Sequence, residues 1–168
     1  MKGNRIAHGV EPAGTQARCQ RNPPKRILVV DDDEFIRQVN ADMLSRFGYE
    51  TETAEDGAAA WEALQDNGYD LLITDNSMPK VSGVELVKKL RSAHMTVPVV
   101  LASGTVPMEA MNRNSSLQLA AMLVKPFTTD ELLATVKKVL GMTDSAREQI
   151  ESMPIRPSEP SADGLRLR

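Results

Sequence analysis

The chain has 168 residues, enough for one domain with a hydrophobic core and too few for two domains of ordinary size. Its net charge of −3 argues against direct nucleic-acid binding, because nucleic-acid-binding domains usually carry a basic excess. No apolar run approaches the roughly 20 residues of a membrane helix, no secretory signal follows the first basic residues, and the single cysteine suits a reducing compartment, so we expect a cytoplasmic protein that does not contact the membrane.

Residues 1–24 contain glycine, proline and scattered arginine but no sustained apolar period. An ordered element of a core would need such a period, so we predict a disordered N-terminal tail. From residue 25 onward, short apolar runs alternate with amphipathic segments as far as residue 141. We therefore place one domain at residues 25–141.

This domain shows five strand patterns and five helix patterns in alternation. Gly48 is expected to close the first helix and Gly141 the last, and Ser82 and Thr128 each precede a glutamate by three residues, the pattern of a capping box. The predicted elements are, in chain order, a strand over 27–30, a helix over 35–47, a strand over 49–53, a helix over 58–64, a strand over 69–74, a helix that opens after Ser82, a strand over 98–102, a poorly patterned helix over 107–118, a strand over 121–124 and a helix that runs from Thr128 to Gly141.

The strand patterns are continuous apolar runs, as expected when both faces of a sheet are covered. Right-handed crossovers then predict an α/β fold, a doubly wound five-stranded parallel sheet with helices on both sides. After Gly141 the remaining residues 142–168 are too few for another stable domain and contain three prolines. We predict a C-terminal tail or a truncated linker there, with a short helical extension through Ile150 as the alternative.

Polar residues follow the ends of four predicted strands, and in such a sheet ligands bind at that edge. They are Asp31, Asp32 and Asp33 after the first strand, Asp75 after the third, Ser103 after the fourth and Lys125 after the fifth. Each has a simpler interpretation: Asp33, or its neighbours, as a helix cap, Asp75 as a turn residue, Ser103 as a cap and Lys125 as a solvated surface lysine.

These simpler interpretations fail when the residues are taken together, because several carboxylates at one edge repel one another unless a cation is present. Carboxylate oxygens with room for water suit Mg²⁺, with Mn²⁺ as an alternative ion, and leave metal positions open for phosphoryl oxygens. Lys125 and Ser103 could both contact such a group. A carboxylate can itself accept a phosphoryl group, and Asp75, alone at the end of the third strand, is the natural acceptor.

Four segments in this order resemble the receiver domain of two-component response regulators: "ILVVDDDEFIR", "DLLITDNSMPKVSGVEL", "VPVVLASG" and "LVKPF". The resemblance covers residues 25–141. It implies a flavodoxin-like (βα)5 fold with strand order 2-1-3-4-5.

The resemblance also implies a role for each matching residue. Asp75 corresponds to the phosphoacceptor, and Asp31 and Asp32 correspond to the acid pair, with Asp32 as the direct Mg²⁺ ligand and Asp31 acting partly through water. The backbone carbonyl of Ser77 corresponds to a further metal ligand. The remaining matches are Ser103 to the switch hydroxyl, Lys125 to the site lysine before a commonly cis proline, Gly83 to a turn glycine and Met122 to a switch position that is usually aromatic.

The implied function is signal relay in a two-component system or phosphorelay. A sensor histidine kinase or a histidine phosphotransfer protein would bring a phosphohistidine to Asp75. Phosphorylation would then repack the face formed by the fourth helix, the fifth strand and the fifth helix, where a downstream target protein binds. Such a module catalyses only its own phosphorylation and dephosphorylation and turns over no separate substrate.

Two alternatives stay open at this stage. A haloacid-dehalogenase-like phosphohydrolase also uses an aspartate nucleophile, Mg²⁺, a hydroxyl and a lysine, and the run Asp31–Asp33 fits its D-x-D pattern loosely. Such enzymes need acids after the lysine strand, where this chain has Pro126 and Phe127, and that interpretation leaves Asp75 without a role. The other alternative is an interaction module that works without phosphorylation, which would not need the full set of acids with Lys125.

Overall fold

The computed structural model describes residues 23–105 and 116–151 of the chain. Five strands form one parallel sheet in the order β2-β1-β3-β4-β5, so the predicted fold class and strand order are confirmed. The strands are β1 (Arg26–Val30), β2 (Glu50–Ala54), β3 (Leu71–Asp75), β4 (Val99–Ser103) and β5 (Ala121–Val124). The helices of the described part are α1 (Glu34–Arg46), α2 (Gly57–Asp66), α3 (Gly83–Ser92) and α4 (Thr129–Glu151).

The core lies in two layers, one on each face of the sheet. Successive side chains of a strand point to opposite faces, so Leu28 and Val30 of β1 pack into one layer while Ile27 and Val29 pack into the other. The first layer includes Ala60 and Leu64 of α2 and Leu86 and Leu90 of α3. The second includes Leu44 of α1 and Leu132 and Val136 of α4. Burial on both faces explains why the central strands read as unbroken apolar runs.

Short polar signals set the helix boundaries, as the sequence predicts. The carboxylate of Asp33 accepts a hydrogen bond from the backbone N–H of Ile36, 3.1 Å away, and so caps α1. Ser82 and Glu85 form a reciprocal capping box before α3, and the same exchange of hydrogen bonds joins Thr128 to Glu131. Gly48 follows α1 with a φ of 89°, a conformation that costs glycine little.

Two helix predictions change. Gly141 does not end the last helix, because α4 continues to Glu151. A glycine inside a helix costs only about 1 kcal/mol relative to alanine, which is too little to stop a helix on its own. The helical extension that was the alternative is therefore the structure found. Of the predicted fourth helix, residues 107–115 lie outside the described part, and Ser116 and Leu117 form a turn instead of helix.

Arg91, near the C-terminal end of α3, binds the backbone of the two connections that lead into β4 and β5. Its guanidinium group donates hydrogen bonds of 2.7–3.3 Å to four backbone carbonyl groups. They belong to Met95, Val97, Leu117 and Gln118. One side chain thus joins the connection before β4 to the connection before β5.

Most of residues 1–24 and 142–168, where we predict tails, lie outside the described part. In that part we find no helix with the length and apolar character needed to cross a bilayer.

Candidate functional site

The fold brings the predicted acids together at the C-terminal ends of the strands. Asp31 directly follows β1 and Asp75 ends β3, the strand beside it. One carboxylate oxygen from each of Asp31, Asp32 and Asp75 lies within 4.8 Å of the others, and we call these three residues the carboxylate cluster. Asp31 and Asp75 are only 5% and 4% exposed, whereas Asp32 is exposed to solvent. Two of the three acids are therefore held almost out of contact with water.

Lys125 provides the positive charge that partly balances these acids. It follows β5, and its ammonium nitrogen lies 3.1 Å from Asp31 Oδ2 and 3.0 Å from Asp75 Oδ1. Burial by itself, the largest influence, lowers the pKa of Lys125, but its contacts with Asp75 and Asp31 together outweigh burial and leave this pKa above its ordinary value. The lysine therefore remains charged at neutral pH. A single cation among three carboxylates leaves the cluster with net negative charge.

The two oxygens of Asp75 have different surroundings. Oδ2 accepts a hydrogen bond from the backbone N–H of Ser77, 3.0 Å away. Oδ1 is buried and accepts no hydrogen bond, because its contact with the ammonium of Lys125 is close enough for an ion pair but lacks hydrogen-bond geometry. A buried carboxylate oxygen without a hydrogen-bond donor is costly in a folded protein. Among the described residues Oδ1 is a buried side-chain oxygen without a hydrogen bond, and the nearby Lys125 ammonium offsets its charge.

The carboxylate cluster fits a hard divalent cation. Mg²⁺ prefers oxygen ligands, binds through few protein carboxylates and keeps several water molecules. The cluster offers oxygens from three acids, one of them exposed to solvent, and one buried oxygen without a hydrogen-bond donor. Ser77 lies next to the same carboxylate through its N–H, and the use of its carbonyl as a ligand stays a prediction.

Gly83 allows the loop after β3 to pass tightly behind Asp75. A Cβ atom at this position would lie 2.3 Å from the backbone oxygen of Asp75 and 2.8 Å from Cδ1 of Leu101. Asn76 holds the same loop, since its N–H donates to the carbonyl of Ala102 over 2.8 Å and its side-chain oxygen accepts from the N–H of Val84 over 3.2 Å. The turn glycine of the family pattern therefore has a steric reason here.

Ser103 and Met122 occupy different environments. Ser103 ends β4 beside Asp75, is 1% exposed, and its hydroxyl accepts a long hydrogen bond of 3.4 Å from the N–H of Thr105. Met122 is a partly buried residue of β5 that lines a shallow pocket with Phe127 and the first turns of α4. The peptide bond between Lys125 and Pro126 is cis.

Two cations near this edge were not predicted from the sequence. Lys80 adopts a φ of 67° and its ammonium lies 2.9 Å from the carboxylate of Asp56, which caps α2, so the loop after β3 is joined to the start of α2. Arg37, on the first turns of α1, donates a 2.7 Å hydrogen bond to the backbone oxygen of Asp31. Nothing in the pattern around Lys80 signals its role. Arg37 could have been noticed as a cation one turn after the helix cap.

Exposed apolar side chains lie beside the carboxylate cluster, on the helix that begins just after it. Phe35, Ile36 and Val39 of α1 are 73%, 37% and 40% exposed. Ile36 and Val39 also line a groove of about 500 Å³, which Pro126 and Phe127 close on the other side. Since exposed apolar groups clustered at one place often mark a protein contact, this edge of the molecule combines a polar site with an apolar surface.

Comparison with known sequences gives consistent matches. A profile described as "Response regulator receiver domain" matches residues 27–137. Response regulator MprA of Mycobacterium sp. (strain KMS) is 36% identical over 122 residues, which make up 71% of this chain and 52% of MprA. Sensor histidine kinase RcsC of Salmonella typhi is 34% identical over 122 residues, 73% of this chain and 13% of RcsC. The chain thus spans about half of one relative and about an eighth of the other.

Solved structures match over nearly their whole length. Chemotaxis response regulator CheY4 of Vibrio cholerae is 34% identical with a TM-score of 0.62, and the match covers 69% of this chain and 98% of that protein. Response regulator protein TrrA of Thermotoga maritima, solved in complex with Mg²⁺ and BeF, is 36% identical with a TM-score of 0.60 and matches 68% of this chain and 98% of that protein.

Proposed function

The chain belongs to the response regulator receiver family, and we propose that Asp75 is the residue of this receiver that accepts the phosphoryl group. The observation that carries the proposal is the state of Asp75 Oδ1, which is buried, forms no hydrogen bond within the described residues and makes a 3.0 Å ion pair with the ammonium of Lys125. A carboxylate in this position has one oxygen without a hydrogen bond and lies close to a cation that can neutralise an incoming phosphoryl group.

In the proposed reaction the phosphoryl group moves from a phosphohistidine of a partner protein to Asp75. The P–N bond breaks as a bond forms between phosphorus and a carboxylate oxygen, and the imidazole leaves with the electron pair of the broken bond. The Lys125 ammonium stabilises negative charge on the transferred oxygens, and burial of Asp31 and Asp75 strengthens this interaction by limiting contact with water.

The carboxylates of Asp31, Asp32 and Asp75 would hold Mg²⁺, with the Ser77 carbonyl as a further ligand. When bound, the ion neutralises acid repulsion and draws charge from phosphoryl oxygens. Asp32 is the exposed member of the cluster, and an exposed ligand suits an ion that keeps water molecules. The solved complex of TrrA with Mg²⁺ and BeF supports this proposal by similarity.

Ser103 is the proposed link from phosphorylation to a change of shape. Among the described residues its buried hydroxyl makes a single long contact, with the N–H of Thr105, and it can exchange that contact for a phosphoryl oxygen. The loop after β4 would move with it, and the response would be read by a target protein at the face made by β5, α4 and the segment before β5. Met122, half-buried on that face, would repack where the family usually has a ring.

The proposed donor is a sensor histidine kinase or a histidine phosphotransfer protein in the cytoplasm. It has to approach the edge where Asp32 is exposed, and α1 begins there with Phe35, Ile36 and Val39 exposed. An apolar surface beside the acceptor would hold the donor while its phosphohistidine reaches Asp75. We propose no direct contact with nucleic acid and no separate substrate for turnover.

Incubation with Mg²⁺ and acetyl phosphate tests the proposal. Intact-protein mass spectrometry should show one phosphoryl group on the wild type and none on Asp75→Asn, and beryllofluoride should bind the wild type with Mg²⁺ but not Asp75→Ala. Asp33→Asn is the matched control, because Asp33 lies beside the cluster but caps α1, and asparagine caps equally well. Equal labelling of wild type and Asp75→Asn would refute the assignment.

The same incubation separates the hydrolase alternative. A phosphohydrolase would release phosphate from unrelated esters over many turnovers, whereas a receiver retains a single group. The helix-capping contact of Asp33 argues against the hydrolase, because it commits the second acid of the D-x-D pattern to a structural role.

A further inference from the structure

The loop between β1 and α1 is held by hydrogen bonds at most of its positions, but the side chain of Asp32 has none within the described residues. The N–H of Asp33 donates to Asp31 Oδ1 over 3.0 Å, and the N–H of Asp31 donates to the carbonyl of Ala54 over 3.4 Å. Asp32 itself projects from this loop and is exposed. Its position therefore depends on the backbone on either side of it.

Arg37 donates a hydrogen bond to the peptide group between Asp31 and Asp32. Its guanidinium Nη1 donates to the backbone oxygen of Asp31 over 2.7 Å, and that carbonyl belongs to the peptide bond between Asp31 and Asp32. The N–H of Arg37 also donates to the carbonyl of Asp33 over 2.9 Å. That second bond is the first backbone hydrogen bond of α1, so the contact specific to the arginine side chain is the one with the Asp31 carbonyl. The side chain is half-buried, which limits competition from water.

The length and charge of Arg37 suit this task. A charged donor makes a stronger hydrogen bond to a carbonyl than a neutral one, and the distance of 2.7 Å is at the short end of the usual range. The guanidinium group contacts the backbone of the loop that carries Asp31 and Asp32, so it holds this loop without occupying a carboxylate oxygen that a metal would use. Lys125, by contrast, contacts the carboxylates themselves.

Resting on the proposed function, we propose that Arg37 is a positioning residue for Mg²⁺ binding: it fixes the peptide between Asp31 and Asp32 and so places the Asp32 carboxylate for the ion. Replacement of Arg37 by a side chain without donors leaves all three carboxylates and Lys125 in the molecule. It should weaken Mg²⁺ binding because the ion then has to order the loop that Arg37 orders in the wild type.

The test compares Mg²⁺ titrations of the wild type, Arg37→Met, Arg37→Lys and Arg46→Met by calorimetry. Arg46→Met is the matched control, since it removes the same charge from an exposed position on the same helix. We expect the Kd for Mg²⁺ to rise about tenfold in Arg37→Met, a change of ~1.4 kcal/mol. Arg37→Lys should recover part of the loss, and Arg46→Met should stay within about twofold of the wild type.

A second readout needs no metal. Amide hydrogen exchange at Asp33, whose N–H is bonded to Asp31 Oδ1, should be faster in Arg37→Met and unchanged in Arg46→Met when followed by NMR in the presence of a chelator. An unchanged Kd in a folded Arg37→Met protein, or an equal loss in Arg46→Met, would overturn the inference and leave the proposed function intact. Failure of the wild type to bind Mg²⁺ would instead overturn the proposed function. If Arg37→Met does not fold, Arg37→Lys carries the test. A weaker Kd together with faster amide exchange in Arg37→Lys supports the inference, and wild-type exchange with a tenfold weaker Kd overturns it.

Discussion

The close approach of Gly83 to Asp75 makes Gly83→Ala the sharpest test of the geometry behind the site. The added Cβ would lie 2.3 Å from the backbone oxygen of Asp75, about 1 Å inside the ordinary contact distance between carbon and oxygen. The obstructing atom belongs to the backbone of a buried strand, so it cannot rotate away. Either α3 or the end of β3 has to shift.

The magnitude follows from two opposing terms. Alanine favours a helix over glycine by up to about 1 kcal/mol, and less at the first residue of α3. Overpacking a close-packed site costs about 1–3 kcal/mol, occasionally more. We expect Gly83→Ala to lower the free energy of unfolding by about 2 kcal/mol, which for a chain of this length corresponds to a fall of roughly 4–8 °C in Tm.

Urea denaturation followed by circular dichroism measures the effect, and Gly141→Ala provides the control. Gly141 lies inside α4, and a Cβ there would meet no atom within 4 Å. Gly141→Ala should therefore raise stability by up to about 1 kcal/mol. Phosphorylation by acetyl phosphate should slow in Gly83→Ala alone, because the displaced atom is the carbonyl of Asp75. A Gly83→Ala protein as stable as the wild type would refute the steric reasoning.

Three further outcomes are expected. Arg91→Met should lower the free energy of unfolding in urea by about 2–5 kcal/mol, because it leaves four backbone carbonyls without their charged donor, whereas Arg46→Met at an exposed site should change it by less than about 0.5 kcal/mol. Burial, followed by a hydrogen bond to a glutamate, raises the pKa of Tyr69 from 10.0 to about 12. The unfolded state therefore ionises first, and the free energy of unfolding should fall as the pH rises between those two values, less so in Tyr69→Phe. Equal falls in both proteins would contradict this. Phe35→Ala should slow phosphotransfer from a partner phosphohistidine protein and leave labelling by acetyl phosphate unchanged. Phe47→Ala, at the other end of α1, should change neither rate. Slower labelling of Phe35→Ala by acetyl phosphate would show that Phe35 acts on the site itself.

Much of the fold could be predicted because its signals are local. The capping residues Asp33, Ser82 and Thr128 mark helix starts by short-range hydrogen bonds, and unbroken apolar runs mark strands covered on both faces. The prediction that Gly141 ends the last helix was wrong, because a glycine ends a helix only where the chain turns away after it. The sequence shows the glycine but does not show whether the chain turns there.

The site divides in the same way. Asp31, Asp75 and Lys125 could be grouped from the sequence, since parallel strands deliver the residues after them to one edge. The contact of Lys80 with Asp56 could not be predicted, because it joins two segments distant in the chain, and for Arg37 the sequence shows a cation near the helix cap but not the carbonyl that its side chain reaches. Gly83 could be matched to a family pattern, but only coordinates show which atom excludes a larger residue.

A conformational switch needs segments that stay in place as well as segments that move. Arg91 holds one such segment in place, since its hydrogen bonds join the carbonyls of Leu117 and Gln118 to the C-terminal end of α3. If phosphorylation moves the loop after Ser103 as we propose, the hydrogen bonds of Arg91 would limit how far that movement extends toward β5. Loss of these hydrogen bonds in Arg91→Met should then let the segment before β5 move without a phosphoryl group, so the same arginine would both stabilise the protein and restrain the proposed switch.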